Sequence, residues 1–287
     1  MRVNSGAVRR RAFTIVEMLV VVGIIAVLAG LLFPAISTVQ RNSRATVSKS
    51  NLQQWGRGMV QYTTANKERL PWEGLKDASQ MQANLAQPNY WANAIPEYAG
   101  QRPYTEIVEE AFLAQRRAPV PPERTIFLDP SAKAQEGAPW EFGPGGAAGI
   151  RRTFFFCYVP NSQLNNTFQA RGGIADFSPK RTLSMSMIPA AAETVFMLEM
   201  RTTPEELPAS DVHFGRDLRR HRSDWKRFAA RHYDGGHICF ADGHIALVKN
   251  LDATTSVQES RDPSQPNGDW NKPGLIWDPL GPALDDN

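Results

Sequence analysis

The chain has 287 residues, 42% hydrophobic and 21% charged, enough for one large domain or two small ones with a sizeable core. Its formal charge of +3 is concentrated at one end: Arg2, Arg9, Arg10 and Arg11 fall in the first twelve residues, which hold no acid, and the remainder carries 28 basic residues against 29 acidic. That balance excludes the broad basic surface that nucleic-acid binding requires.

Phe13 to Phe33 is a run of 21 residues in which Glu17 is the only ionisable side chain. As a helix it spans about 30 Å, the thickness of a bilayer's hydrocarbon core, and it is predicted to cross a membrane. The arginines before it favour a cytoplasmic N-terminus; Arg41, Arg44 and Lys49 beyond it weaken that asymmetry without reversing it. A secretory signal peptide has an apolar core of roughly 7–15 residues, too short for this run, and carries no acid near its start. A carboxylate inside a membrane span costs roughly 2.5–3.5 kcal/mol at the centre and less towards an end, so Glu17 calls for a partner or a snorkelling position at the interface.

The residues Ala12-Phe13-Thr14-Ile15-Val16-Glu17, followed by the apolar run, resemble the N-terminus of type IV prepilins and of the pseudopilins of type II secretion. Those precursors have a short basic leader, a small residue, Phe-Thr-Leu-Ile-Glu, and a long apolar helix. The resemblance implies a leader over residues 1–12, cleavage between Ala12 and Phe13 by a membrane aspartyl prepilin peptidase, and N-methylation of Phe13. It also implies that Glu17 neutralises the new amine, on its own chain or on a neighbouring pilin-like subunit, and that Pro34 marks a helix kink. Ala12 stands where the family usually has Gly, which implies slower rather than absent cleavage.

Beyond Pro34 the pattern Ile36, Val39, Ser43, Val47, then Leu52, Trp55, Met59, Tyr62 continues at helical spacing. Gly56 and Gly58 each cost roughly 1 kcal/mol in a helix interior, which places the helix end near Tyr62 to Asn66. The domain plan is therefore a leader (1–12), a transmembrane helix (13–34), its amphipathic continuation (35–66), an extracytoplasmic head (67–260) and an irregular tail (261–287), in which Trp270, Ile276 and Trp277 are candidate anchors. In the head, short helices are predicted near Ser79–Ala86 and Thr105–Gln115. Strands are predicted at 125–128, 152–159, 181–188 and 193–200, with a Gly- and Pro-rich loop over 137–149. The fold class is α+β, pilin-like, with the long helix packed on an antiparallel sheet. Cys157 and Cys239 lie in apolar runs; their even number permits a disulfide, and two buried small hydrophobes are the alternative.

The sharpest soluble motif is the segment from His232 to Val248, HYDGGHICFADGHIALV. Asp242-Gly243 between alternating apolar runs predicts a two-residue type I′ hairpin pairing Ala241 with His244, Phe240 with Ile245 and Ile238 with Leu247. Ile238, Phe240, Ile245 and Leu247 then share the buried face, while His237, Cys239, His244 and Ala246 share the other. His237 and His244 lie about 13 Å apart along that face and cannot share one ion. No metal site is expected; the weak candidates are His232, Asp234 and Asp242. His232 spaced nine residues before Asp242-Gly243 resembles the signature of the prepilin-type family named for its H-x9-D-G C-terminal domain, of planctomycete type. In that resemblance His232, Gly235, Gly236, Asp242 and Gly243 form a structural hairpin. Looser matches lie at 51–71, 127–131, 156–161 and 192–199.

The sequence contains no G-x-S-x-G, H-E-x-x-H or phosphate-cradling Gly loop, and no enzyme is expected. The leading function is a structural subunit of a type II secretion or type IV pilus-like system. It would be single-pass in the cytoplasmic membrane with its head outside, and could be extracted into a periplasmic or surface filament. Its partners would be the prepilin peptidase and methyltransferase, other pilin-like subunits and the membrane. No cofactor is expected. One alternative is an anchored module that binds carbohydrate, protein or Ca²⁺ through exposed Trp72, Trp91, Trp140 and Trp225. Another is an anchored metallohydrolase using His232, His237, Asp242 and His244. The basic run 216–227 reads as a solvated face, or as a contact for an acidic partner or lipid headgroups.

Overall fold

The computed structural model describes residues 14–146, 149–164, 179–206, 218–262, 264 and 267–281. Ala12, Phe13 and the leader lie outside the described residues. A single helix, α1, runs from Ile15 to Ala65 with Pro34 inside it. The chain divides into two compact units, residues 1–43 and residues 44–287.

In the first unit the large apolar side chains from Ile15 to Phe33 are exposed, Ile15 at 80% and Phe33 at 71%. An 18-residue window there has a mean hydropathy of 2.8 and none of it is buried. The helix is long and apolar enough to cross a membrane. Pro34 has no N–H to donate back to the preceding turn, and its own carbonyl accepts from the hydroxyls of Ser37 and Thr38.

In the second unit α1 turns one face inward: Ser48, Leu52, Trp55, Gly56, Met59 and Tyr62 are buried at helical spacing. The helix stops where the Asn66 side chain donates to the Tyr62 carbonyl and Lys67 and Glu68 take φ of 58° and 61°. Gly56 and Gly58 do not end it; they let other backbone approach it. A Cβ at Gly58 would meet the Ile95 carbonyl oxygen at 2.7 Å.

Three short helices follow, α2 (Met81–Leu85), α3 (Trp91–Tyr98) and α4 (Tyr104–Leu113). The first and last match the predicted positions. The second was not predicted; it holds Pro96 and buries all of Trp91–Pro96. Trp55, Trp91, Tyr104, Phe127 and Phe156 pack into one aromatic cluster, with ring centroids 4.5–5.3 Å apart from Trp55–Trp91 through Tyr104–Phe156.

Strands β1 (Trp140–Phe142) and β2 (Arg152–Phe154) form an antiparallel pair. Strands β3 (Tyr158–Pro160), β4 (Val195–Glu199), β5 (Gly235–Phe240) and β6 (Ile245–Lys249) form a four-stranded antiparallel sheet in sequence order. The long helix and antiparallel sheets make the α+β, pilin-like layout expected. Three strand expectations need correction. The run 152–159 divides between two sheets, and β1 occupies part of the expected loop. Residues 125–128 form a turn, whose Ile126 carbonyl accepts from the Trp55 indole at 2.7 Å and whose Leu128 carbonyl accepts from Asn51. Residues 181–188 hold an isolated bridge, Arg69 to Ser184, and a 3-10 turn at Met185–Met187. An apolar run buried from several sides lacks the period-two signal that would have separated these cases.

The 261–281 part of the tail is irregular yet tied down. Trp270 and Trp277 are fully buried, Trp270 stacked on Trp225 at 4.7 Å. Ile276 exchanges backbone hydrogen bonds with the start of β4, donating to Glu193 and accepting from Val195. The basic run, described from Leu218 onwards, is not a solvated face: His221, Arg222, Asp224 and Trp225 are buried, and Arg222 pairs with buried Glu73. Trp72 and Trp91 are buried as well, and Trp140 is half-buried. Cys157 and Cys239 are buried free thiols.

Candidate functional site

Two places carry the chemistry. The first is the start of α1. The Thr14 backbone N–H donates to the Glu17 carboxylate at 2.8 Å, the Thr14 hydroxyl lies 2.8 Å from the same oxygen, and the Glu17 N–H donates to the Thr14 hydroxyl at 3.2 Å. This reciprocal arrangement is a capping box, satisfying donors that a helix start leaves open. Glu17 therefore has a role inside its own chain beside the inter-subunit one that the resemblance implies. The signal was present as Thr-x-x-Glu before an apolar run.

The second is the hairpin of His232–Val248 and what lies beneath it. Its register differs from expectation by one residue: Cys239 pairs with Ile245, Ile238 with Ala246 and His237 with Leu247. Phe240 donates to the His244 carbonyl, so the loop has three residues, Ala241–Gly243, with Gly243 at φ 90°. Asp-Gly supports this left-handed position as readily as a two-residue turn. A slip of one moves every β6 side chain to the other face. Accordingly Leu247 is 47% exposed, and His244 stacks on Phe240 at 4.4 Å instead of sharing a face with His237. Asp242 accepts from the His244 backbone N–H at 3.0 Å, and its carboxylate lies 2.7 Å from His244 Nδ1 in the exposed turn.

The two glycines before β5's apolar part are fixed by close approach. A Cβ on Gly235 would meet the Val248 carbonyl oxygen at 2.1 Å, and one on Gly236 would meet Glu199 Oε2 at 3.0 Å. Asp234 and Asp242 are exposed while His232 is fully buried, so the three weak metal candidates do not form one site. The His232 ring faces residues that the sequence reading did not connect to it. Its Nε2 lies 3.1 Å from Asp129 Oδ2 and 3.6 Å from Glu199 Oε1. His237 Nδ1 lies 2.7 Å from the same Glu199 oxygen. From α1 the Ser48 hydroxyl hydrogen-bonds Glu199, and it lies 3.2 Å from Asp129 Oδ2 and 2.9 Å from the Tyr158 hydroxyl. Arg231 sits 3.4 Å from both Asp129 and Glu206.

Helix, turn, β3, β4 and β5 thus meet in one buried polar cluster. Glu199, inside the fully buried strand Val195–Glu199, is its centre. Burial opposes ionisation of Asp129, but the Arg231 guanidinium and the His232 ring outweigh it and hold its carboxyl down to about 2. Burial also opposes the charged form of His232, and here the hydrogen bond to Asp129 and the nearby Glu199 win, raising its pKa. Burial pushes the Tyr158 hydroxyl up, and the Cys157 thiol to about 12. The cluster can bind charge; no described group in it is an activated thiolate or phenolate. Glu199, His232 and His237 place donor atoms within 4.8 Å of one another, which suits a metal ion. In the sequence Asp129 and Glu199 fall within the looser matches at 127–131 and 192–199, but nothing there connected them to His232 or to one another.

Compared with known families, residues 8–33 match the prokaryotic N-terminal methylation motif. The chain has a prepilin-type N-terminus. The match supports a type IV prepilin-like protein, and with it membrane anchoring, processing by a peptidase and assembly with other pilin-like subunits; such proteins are usually structural and non-enzymatic. No curated protein and no solved structure matches the chain.

Proposed function

We propose that the chain is a pilin-like structural subunit, cleaved between Ala12 and Phe13, N-methylated at Phe13, and assembled through its N-terminal helix in a type II secretion or type IV pilus-like system. It resides in the cytoplasmic membrane with residues 13–34 as its single span, its N-terminus inside and its head outside. The observation that carries the reading is the coincidence of the methylation motif at residues 8–33 with a helix whose large apolar side chains are exposed from Ile15 to Phe33. That surface needs lipid before assembly and other helices after it. The H-x9-D-G resemblance fits the same reading, with His232 and the hairpin as structural parts of the head. An anchored carbohydrate-binding module would need the exposed rings of Trp72, Trp91 and Trp225, and these are buried.

Mass spectrometry of the protein recovered from its native membrane tests the proposal. The expected species begins at methylated Phe13; an intact Met1, or cleavage near Ala29, refutes it. Glu17→Ala is expected to impair methylation or assembly while the head stays folded.

A further inference from the structure

We propose that Glu199, His232 and His237, with Asp129 as fourth donor, form a buried structural site for one divalent transition metal of the zinc type. Three observations converge on it. The first is geometry. Four donors at about 2.0–2.1 Å from a tetrahedral zinc ion lie about 3.3 Å from one another. The separations here are 2.7 Å for His237 Nδ1 to Glu199 Oε1, 3.1 Å for His232 Nε2 to Asp129 Oδ2, and 3.6 Å for His232 Nε2 to Glu199 Oε1. These three of the tetrahedron's six edges lie within about 0.6 Å of that value. The donor atoms of Glu199, His232 and His237 all lie within 4.8 Å of one another; Asp129, which touches the group through His232, must close on the ion to complete it.

The second is charge. Among the described groups of the cluster, Asp129, Glu199 and Glu206 carry three negative charges, and Arg231 carries one positive. With neutral imidazoles, the form in which they ligate a metal, two negative charges remain beneath a surface that leaves Asp129 and Glu199 wholly buried; without the ion a proton on His232 offsets one of them. Buried charge needs a partner, and a divalent cation supplies that amount. The third is that Glu199 Oε2 and His232 Nδ1 are buried without a hydrogen-bond partner among the described residues. Buried polar atoms are seldom left so. A metal-bound carboxylate can use its second oxygen on the same ion, and either ring nitrogen of His232 can ligate after a ring flip.

The donor types select the ion. Calcium takes six to eight oxygens, whereas imidazole with carboxylate suits zinc, cobalt or manganese. Because all four side chains are buried, the site is closed and structural: it fastens the turn bearing Asp129 to β4 and β5 and, through Ser48, to the helix. The signature histidine at 232 then has a reason to be an imidazole that hydrogen bonding alone does not give it.

The test uses the full-length chain in detergent, without a histidine tag, stripped with a chelator, desalted and exposed to Zn²⁺ or Co²⁺. Wild type is expected to retain one equivalent of metal through gel filtration and to show the intense visible absorption of tetrahedral Co²⁺. At zinc about 100-fold above its Kd the thermal midpoint should rise by roughly 5–10 °C. His244→Gln, in the exposed turn, should behave as wild type. His237→Gln and Glu199→Gln should lose the bound metal and the shift. Wild type that retains no metal, or a weak octahedral cobalt spectrum, overturns the proposal whatever the variants do. So does a folded His237→Gln that retains the ion as well as wild type.

Discussion

Gly56→Ala gives a measurement whose sign depends on the packing of α1 against the β5–β6 hairpin. In a free helix the change stabilises by about 0.8–1 kcal/mol, because alanine loses less backbone entropy. In this protein the new Cβ would stand 2.7 Å from the Gly243 carbonyl oxygen and 3.0 Å from Cys239 Sγ, where ordinary contact begins at 3.4 Å. The loop cannot yield freely: Gly243 holds φ 90° and donates to Phe240 at 2.9 Å, while Phe240 donates to His244 at 3.0 Å. Helix and hairpin must separate, and overpacking of this kind costs about 1–3 kcal/mol. The expected net effect is a loss of about 0–2 kcal/mol, the steric cost offsetting or exceeding the propensity gain. Urea unfolding of the full chain in detergent, followed by tryptophan fluorescence, measures it. Gly23→Ala, whose Cβ meets nothing within 4 Å, is the control and should leave the head's transition unchanged. A Gly56→Ala protein stabilised by the roughly 0.8–1 kcal/mol of a free helix would refute the argument that backbone contact fixes this glycine.

Two further outcomes follow from the head's core. Burial holds His221 neutral with its pKa pushed down to about 3, against 6.5 when exposed, so below pH 6.5 the unfolded chain binds a proton that the folded chain does not. Stability from this group is therefore complete above pH 6.5 and falls as pH drops towards 3, by about 1.4 kcal/mol per unit; His221→Asn should flatten that slope in urea titrations at pH 4.5–6.5, and an unchanged slope would assign it elsewhere. Trp270→Ala should destabilise by about 3–5 kcal/mol, since the ring is fully buried and stacked on Trp225; Trp270→Phe should cost less, and a tail removable without loss in thermal unfolding would contradict its place in the core.

The hairpin shows how far local pattern reaches. Asp242-Gly243 between apolar runs announces a reversal, because few residues other than glycine tolerate positive φ. It does not say whether the loop has two residues or three, and that single residue decides which face of β6 is buried. Gly56 and Gly58 read locally as helix breakers, yet they are required because the Gly243 and Ile95 carbonyls come within reach of their missing Cβ atoms. Likewise the run 216–227 is basic in composition, but Arg222 is buried against Glu73, 149 positions earlier in the chain.

By itself the sequence determined the features carried by neighbouring residues. These are the apolar run that becomes the exposed part of α1, the prepilin-type motif that overlaps it, the α+β class, and the existence of the β5–β6 reversal. Such features depend on spacing and local sterics, which are present before the chain folds. Only the tertiary structure decided that Ser48, Asp129, Tyr158, Glu199, His232 and His237 meet. They come from five segments, Ser48 and Glu199 being 151 positions apart, and no periodicity in one segment encodes a partner in another. Burial turns these scattered polar residues into one charged cluster, because removing water makes each depend on the others for a partner.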